Sequence, residues 1–318
     1  MLDALIATGL SAVSKSKLTV MTFHRVLPER DLLNFSEPTG EQFEALLETW
    51  ARWFNFVPLA QGVRMLRNRQ LGRRTACITF DDGYMNNFEV AAPILQKLGL
   101  PATFFIATSF SDGGMMFNDK IAAVFRQASG ESLDLSFCGM GVWPVATAKS
   151  KRESSSAAIQ KIKHFAYSKR EALADAMVVG ANATIETQPM MTRPQVQQLA
   201  KMGFEIGAHT VTHPILRELS DEDAEREIRR SRVELQTLTG QAVEMFAYPN
   251  GQPGKDYDLR HTKMVKDAGF IGAVSTITGA ATASSDLYQI PRFTPWHGTT
   301  LNIGVQFLRN YRKPVQAL

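Results

Sequence analysis

Residues 76–83 read A-C-I-T-F-D-D-G: an apolar run of β-formers, then two adjacent carboxylates, then a glycine. A run this short and this apolar predicts a strand buried on both faces, as in parallel sheets covered by helices. Five more runs have the same character: L-T-V-M-T-F from 18, A-T-F-F-I-A from 102, F-E-I-G-A from 204, E-M-F-A-Y from 244 and F-I-G-A-V from 270. Between them, residues 40–54, 86–98, 193–202, 220–238 and 259–268 carry apolar residues at helical spacing. Strands alternating with helices predict an α/β fold around a parallel sheet. Ser220, with Asp223 three residues later, marks a helix start. The charges that follow, A-E-R-E-I-R-R, read as a solvated face.

The interval 109–191 breaks the alternation with G-G, S-G, the serine-rich K-S-K-R-E-S-S-S and the helical I-Q-K-I-K-H-F. It reads as one long insertion within a single domain spanning 1–318. Its basic residues Lys149, Lys151, Arg152, Lys161 and Lys163 read as solvent-exposed, with an anionic carrier lipid or polymer as the alternative partner.

A chain of 318 residues, 44% of them hydrophobic, is ample for a large core and excludes a disordered reading. A net charge of +4 without an arginine-rich, aromatic-studded run excludes nucleic acid as a partner. Two cysteines, Cys77 and Cys138, cannot build a disulfide framework, and Cys77 reads as a small buried hydrophobe. The N-terminal M-L-D-A-L-I-A-T-G-L is short and carries Asp3, while Lys15 and Lys17 lie on the wrong side for a signal peptide. No window approaches the roughly 18 apolar residues of a membrane span. These features lead to the expectation of a cytoplasmic protein, peripheral to the inner membrane if Leu2, Leu5, Ile6 and Leu10 form an adhesive helical face.

Adjacent like charges where a strand ends call for a compensating cation. G-A-H-T-V-T-H-P, residues 207–214, supplies two of the chain's six histidines, four residues apart and directly after a predicted strand. Alone, His209 and His213 could equally be loop hydrogen-bonders. Together with Asp82 they make two imidazoles and a carboxylate, a three-ligand set with open positions for water and substrate. Asp81 would then stay ionised beside the cation as a base.

In these two motifs, T-F-D-D-G at 79–83 and H-T-V-T-H at 209–213, the chain resembles the polysaccharide deacetylases of carbohydrate esterase family four. The resemblance implies a distorted (β/α) barrel, seven-stranded, with its site at the C-terminal strand ends. It implies Asp81 as general base; Asp82, His209 and His213 as ligands of one divalent ion, zinc foremost, with cobalt or nickel as alternatives; and the Tyr84 backbone N–H as an oxyanion donor. The third motif departs from the family pattern: in F-A-Y-P-N-G, Ala247 stands where an arginine usually braces the base, leaving Arg292 or Arg25 to supply the charge. Tyr248 and Pro249 read equally as groove lining or as a turn. V-M-T-F-H-R-V places His24 at the end of the first strand and resembles an element of the exopolysaccharide and poly-N-acetylglucosamine deacetylase subgroup, where this histidine is the proposed acid. His297 is the rival acid, and Trp296 a residue that could stack on a sugar. His164 and His261 read as surface residues. The implied activity is removal of N-acetyl groups from a hexosamine-containing polysaccharide or its lipid-linked precursor, in exopolysaccharide biosynthesis. An O-acetyl esterase, a non-sugar amidase, or a non-catalytic glycan-binding barrel remain alternatives.

Overall fold

The computed structural model describes residues 2–112, 114–185, 189–294, 298–315 and 317–318. In chain order the strands are β1 (Lys17–Phe23), β2 (Asn55–Phe56), β3 (Thr75–Phe80), β4 (Thr103–Ile106), β5 (Ser132–Asp134), β6 (Val142–Pro144), β7 (Glu205–Ala208), β8 (Met245–Ala247), β9 (Gly272–Val274) and β10 (Ala281–Thr282). The helices are α1 (Leu2–Val13), α2 (Gly40–Trp53), α3 (Leu59–Arg67), α4 (Ala92–Leu98), α5 (Phe117–Gln127), α6 (Ala148–Ile162), α7 (Tyr167–Gly180), α8 (Arg193–Lys201), α9 (Asp221–Thr239), α10 (Leu259–Asp267) and α11 (Thr300–Asn310). All six strand-like runs of the sequence form strands, and the predicted helical segments form helices. Among the described residues no helix is long and apolar enough to cross a membrane.

The main sheet runs β10-β1-β3-β4-β7-β8-β9, with β2 paired to the start of β3. Neighbours from β1 to β9 are parallel, and β10 joins β1 antiparallel. The sheet curls toward closure: residues 287–293, irregular in conformation, hydrogen-bond to β9 on one side and β1 on the other, through Ile290 to Ala273 and Phe293 to Val20. This is the distorted (β/α) barrel expected from the sequence.

Side-chain alternation decides what each strand offers to which side. Leu18, Val20, Cys77, Phe105, Met245, Ala247, Val274 and Ile290 share one buried cluster that fills the barrel. Their neighbours Met21, Phe23, Ile78, Phe80, Phe104, Ile206 and Phe246 pack outward against the helices. Counting two residues at a time along the inward rows leads past Thr79 to Asp81, past Gly207 to His209, and past Thr22 to His24. The period of the strand therefore delivers these three side chains to the barrel mouth.

Helix ends are fixed locally. Thr39 and Gln42 form a reciprocal capping box at α2, and the Ser220 hydroxyl accepts the Asp223 N–H at α9, as its sequence predicted. The apolar face of α1 divides: Ile6 and Leu10 are buried, whereas Leu2 and Leu5 are exposed. Half of the face expected to be adhesive belongs to the core. Asp3 ties α1 to α2 by accepting the Trp53 indole N–H at 3.0 Å.

Within 109–191 lie α5, the β5–β6 hairpin, α6 and α7. They enclose a cluster of their own, including Ile121, Phe125, Leu135, Ala158, Ile162 and Met177. The serine-rich run is the first half of α6, started by a Thr147 cap.

Candidate active site

Loops after β3 and β7 meet at the mouth, and both hold uncommon backbone. Asp82 (φ 73°), Thr210 (φ 64°) and His213 (φ 52°) are left-handed without being glycine, at a cost of about 1–3 kcal/mol each. Gly83 (φ 89°) passes so near β4 that a Cβ there would lie 3.3 Å from Ile106 Cδ1. The turn that follows the two carboxylates therefore requires glycine at this point.

The strain buys convergence of three donors. Asp82 Oδ1 lies 3.3 Å from His209 Nε2 and 3.3 Å from His213 Nε2, and one ligand atom from each residue falls within 4.8 Å of the others. Bonds of about 2.0–2.1 Å at tetrahedral angles would put donor atoms about 3.3 Å apart. The chemistry of the set also fits a divalent ion, since two nitrogens and one carboxylate leave further positions open. His209 Nδ1 lies 2.8 Å from the Ala247 carbonyl; a carbonyl can only accept, so Nδ1 carries the proton and Nε2 turns to the site. The residue standing where an arginine was expected thus fixes a tautomer through its backbone.

Electrostatics separate the three. Burial would raise the Asp82 pKa, but the His209 hydrogen bond and the neighbouring imidazoles hold it well below the usual carboxylate range. Burial pushes the His213 imidazole down to about 4, which keeps it neutral at physiological pH. For His209 burial also acts downward, yet the hydrogen bond to Asp82 and the two aspartate charges leave its pKa raised.

Asp81 is outside the triad. Arg292, from the irregular 287–293 segment, grips both its oxygens, Nη1 to Oδ1 and Nη2 to Oδ2, each at 2.6 Å, and donates Nε to the Ser275 carbonyl at 3.0 Å. Both side chains are buried. Burial works to raise the Asp81 pKa, and Arg292, with help from His209 and His24, brings it below normal. The charge that Ala247 cannot provide comes from Arg292 and not from Arg25. Arg25 pairs with Asp119 of α5 and lies over the Tyr84 ring, 3.7 Å from its centroid.

The remaining predicted residues fall as follows. His24 is exposed at the mouth and lines the same cavity as Asp81, Asp82, His209 and His213, a space of about 230 Å³. The Tyr84 hydroxyl donates to Asp119 Oδ2 at 3.2 Å, while its backbone N–H has no acceptor among the described residues. Tyr248 lines the cavity; its ring stacks on Tyr257 at 3.8 Å and its hydroxyl donates to the Tyr288 carbonyl at 3.0 Å. Pro249 is buried and is not among the cavity-lining residues. Trp296 and His297 lie outside the described residues. A second groove, about 780 Å³, continues from His24 and Asp82 past Arg25, Tyr84 and Arg152.

Three expectations need correction. His261 is fully buried: its Nδ1 accepts the Asp258 N–H at 3.0 Å and its Nε2 faces the Leu216 carbonyl at 3.1 Å, so it closes a helix start. The face of α9 is not simply solvated, because Glu227 turns under the histidine loop and accepts from Val211 N at 2.7 Å, Thr212 N at 2.9 Å and the Thr212 hydroxyl at 2.8 Å. Of the basic residues in the insertion, Lys163 lines the cavity and Arg152 lies over Phe35 in the groove, while Lys149 is exposed. Glu227 sits in an E-R-E-I-R-R pattern that any solvated helix could carry, so nothing in the sequence distinguishes it.

A family model described as polysaccharide deacetylase matches residues 68–130 and 166–272, more than half of the chain. YxkH of Bacillus subtilis (strain 168), named as a polysaccharide deacetylase, is 20% identical over 280 residues, 87% of this chain and 71% of its own. The Streptococcus pyogenes deacetylase PplD, solved in complex with acetate, superposes with a TM-score of 0.59 at 17% identity, covering 94% of this chain and 99% of that one. IcaB from Ammonifex degensii gives 0.57 at 17% identity, covering 94% and 98%. Both motifs, at 79–83 and 209–213, lie within the residues that the family model matches.

Proposed function

Since the chain belongs to the polysaccharide deacetylase family, we propose that it is a metal-dependent hydrolase that removes N-acetyl groups from a hexosamine-containing polysaccharide or its precursor and releases acetate. The observation that carries this reading is the pairing of a convergent Asp82, His209 and His213 with an Asp81 held apart from them by Arg292. A decayed or purely sugar-binding barrel has no need of a buried carboxylate beside three metal donors.

Asp82, His209 and His213 would hold a divalent ion, zinc by the donor set with cobalt and nickel as alternatives, which would polarise the acetyl carbonyl and make a bound water more acidic. Asp81, kept ionised by its guanidinium clamp, takes the proton of the attacking water. Arg292 also fixes the direction of the carboxylate, since a two-point fork leaves it no rotation. The Tyr84 backbone N–H, having no acceptor of its own, is the donor for the developing oxyanion, a role worth about 3–4 kcal/mol in preorganised sites. His24, exposed at the mouth of the cavity that Asp81 also lines, gives its proton to the leaving amine, which departs poorly without one.

Acetate release from N-acetylglucosamine oligomers, measured with and without chelator and after adding back zinc, tests the reading. Release that needs the metal supports it. Release from O-acetylated sugars alone would turn it into an esterase, and release from none would end it.

A further inference from the structure

The cavity contains two buried guanidinium groups, and they are treated differently. Arg292 has Asp81. Arg170, from α7, is 3% exposed and lines the same cavity, yet no carboxylate lies within hydrogen-bond distance of it. Its Nε has no acceptor among the described residues. Its Nη1 and Nη2 reach only the carbonyls of Lys163 and His213, each at 3.5 Å. Glu171 Oε1, which has no hydrogen-bond partner of its own among the described residues, makes only a long ion pair with Nε at 4.0 Å, while its Oε2 accepts from Lys120 at 3.0 Å. The guanidinium is kept in place by rings, with Phe117 4.3 Å and Tyr167 5.7 Å from it.

Lys163, which follows α6, also lines this cavity, and its ammonium group makes no ion pair or hydrogen bond among the described residues. Around the cavity, Asp81 and Asp82 face three permanent cations, Arg292, Arg170 and Lys163. The balance is positive before any metal charge is added. Such a site draws in anions, and a buried donor left without an acceptor is costly unless a ligand completes it. The planar fork of arginine suits an oxyanion with two oxygens to offer, a carboxylate or a phosphate.

We propose that Arg170 and Lys163 form an anion subsite beside the metal centre, and that the substrate is a glycan bearing a phosphate ester or carboxylate on the acetylated sugar or its neighbour. This deepens the deacetylase reading and rests on it for the position of the acetamido group. The insertion thereby selects the substrate, while the barrel performs the hydrolysis.

The test uses N-acetylglucosamine, N-acetylglucosamine 1-phosphate and N-acetylmuramic acid, the last carrying a carboxylate. Binding to the metal-free protein is measured by calorimetry, and acetate release by the zinc-loaded protein. At least one anionic sugar should bind about tenfold more tightly than the neutral one, as expected of a charge-assisted contact, with the two anionic probes telling phosphate from carboxylate. That ratio should fall toward one in Lys163→Met, persist in Lys163→Arg, and shrink as salt is raised. Equal binding of all three sugars, or a ratio untouched by Lys163→Met, overturns the subsite. Preferential binding of an anionic sugar without acetate release from any of them keeps the subsite and ends the deacetylase reading instead.

Discussion

On the barrel side of the cavity every charge has a partner within the protein. Asp81 is forked by Arg292, Asp82 lies against two imidazoles, and His209 is turned by the Ala247 carbonyl. On the insertion side, Arg170 and Lys163 face the same space with their donors little used. On the proposed function, the contrast divides two tasks between the two walls. A network satisfied before substrate arrives needs no rearrangement during reaction, which is what preorganised catalysis requires. Donors still to be satisfied give binding energy only to a ligand that brings the complementary group, which is how specificity arises.

The strongest way to break this division is to damage the barrel wall. His213→Ala should lose bound metal and lower acetate release by about 10³-fold or more on every substrate, since the metal is worth several kcal/mol; elemental analysis and a release assay read both. Arg292→Met should retain metal yet reduce kcat by about 10²-fold or more, because the base loses its fixed direction and its countercharge. Metal content falling together with activity would contradict that separation. Glu227→Ala should weaken metal affinity by about 10–100-fold by freeing the loop between His209 and His213, which a competition titration with a chromogenic chelator measures.

Damage to the insertion side should read differently. Asp119→Asn cuts the tie between α5, Arg25 and the Tyr84 loop; it should raise KM by about tenfold while metal content stays at the wild-type level. The smallest effect belongs to neither wall. Burial lowers the His261 pKa, so the unfolded chain binds more protons than the folded one at pH values between the two pKa values. Stability is then complete above the unfolded value of about 6.5 and declines as pH falls below it. Thermal melts from pH 7.5 to pH 5 should show a decline to which His213, pushed down to about 4, also contributes, and His261→Gln should lessen it without abolishing it.

Much of the frame could be read from the chain because buried parallel strands are short unbroken apolar runs, and because a carboxylate pair and a histidine pair at strand ends are chemically unusual. Arg292 could be named from the sequence only beside Arg25, because it is 211 residues from Asp81 in an irregular segment without periodicity, and only the closed barrel decides between the two. The residues that escaped reading did so for physical reasons. Glu227 is one acid among many on a charged helix, and its loop contacts exist only in three dimensions. His261 looks like a surface histidine because its helix is charged, yet it turns inward to bond a backbone N–H and a carbonyl. Arg170 shares a charged helical context with its neighbour Glu171, and nothing in the sequence says which of the two points into a cavity.

Anomalous diffraction from crystals grown with zinc, recorded at the zinc edge, tests the central assignment most directly. The account predicts one strong peak about 2.0–2.2 Å from the Asp82 carboxylate, His209 Nε2 and His213 Nε2, with Asp81 still forked by Arg292 and bonded to no metal. A peak ligated by Asp81, or none at the triad while zinc binds elsewhere, would contradict it.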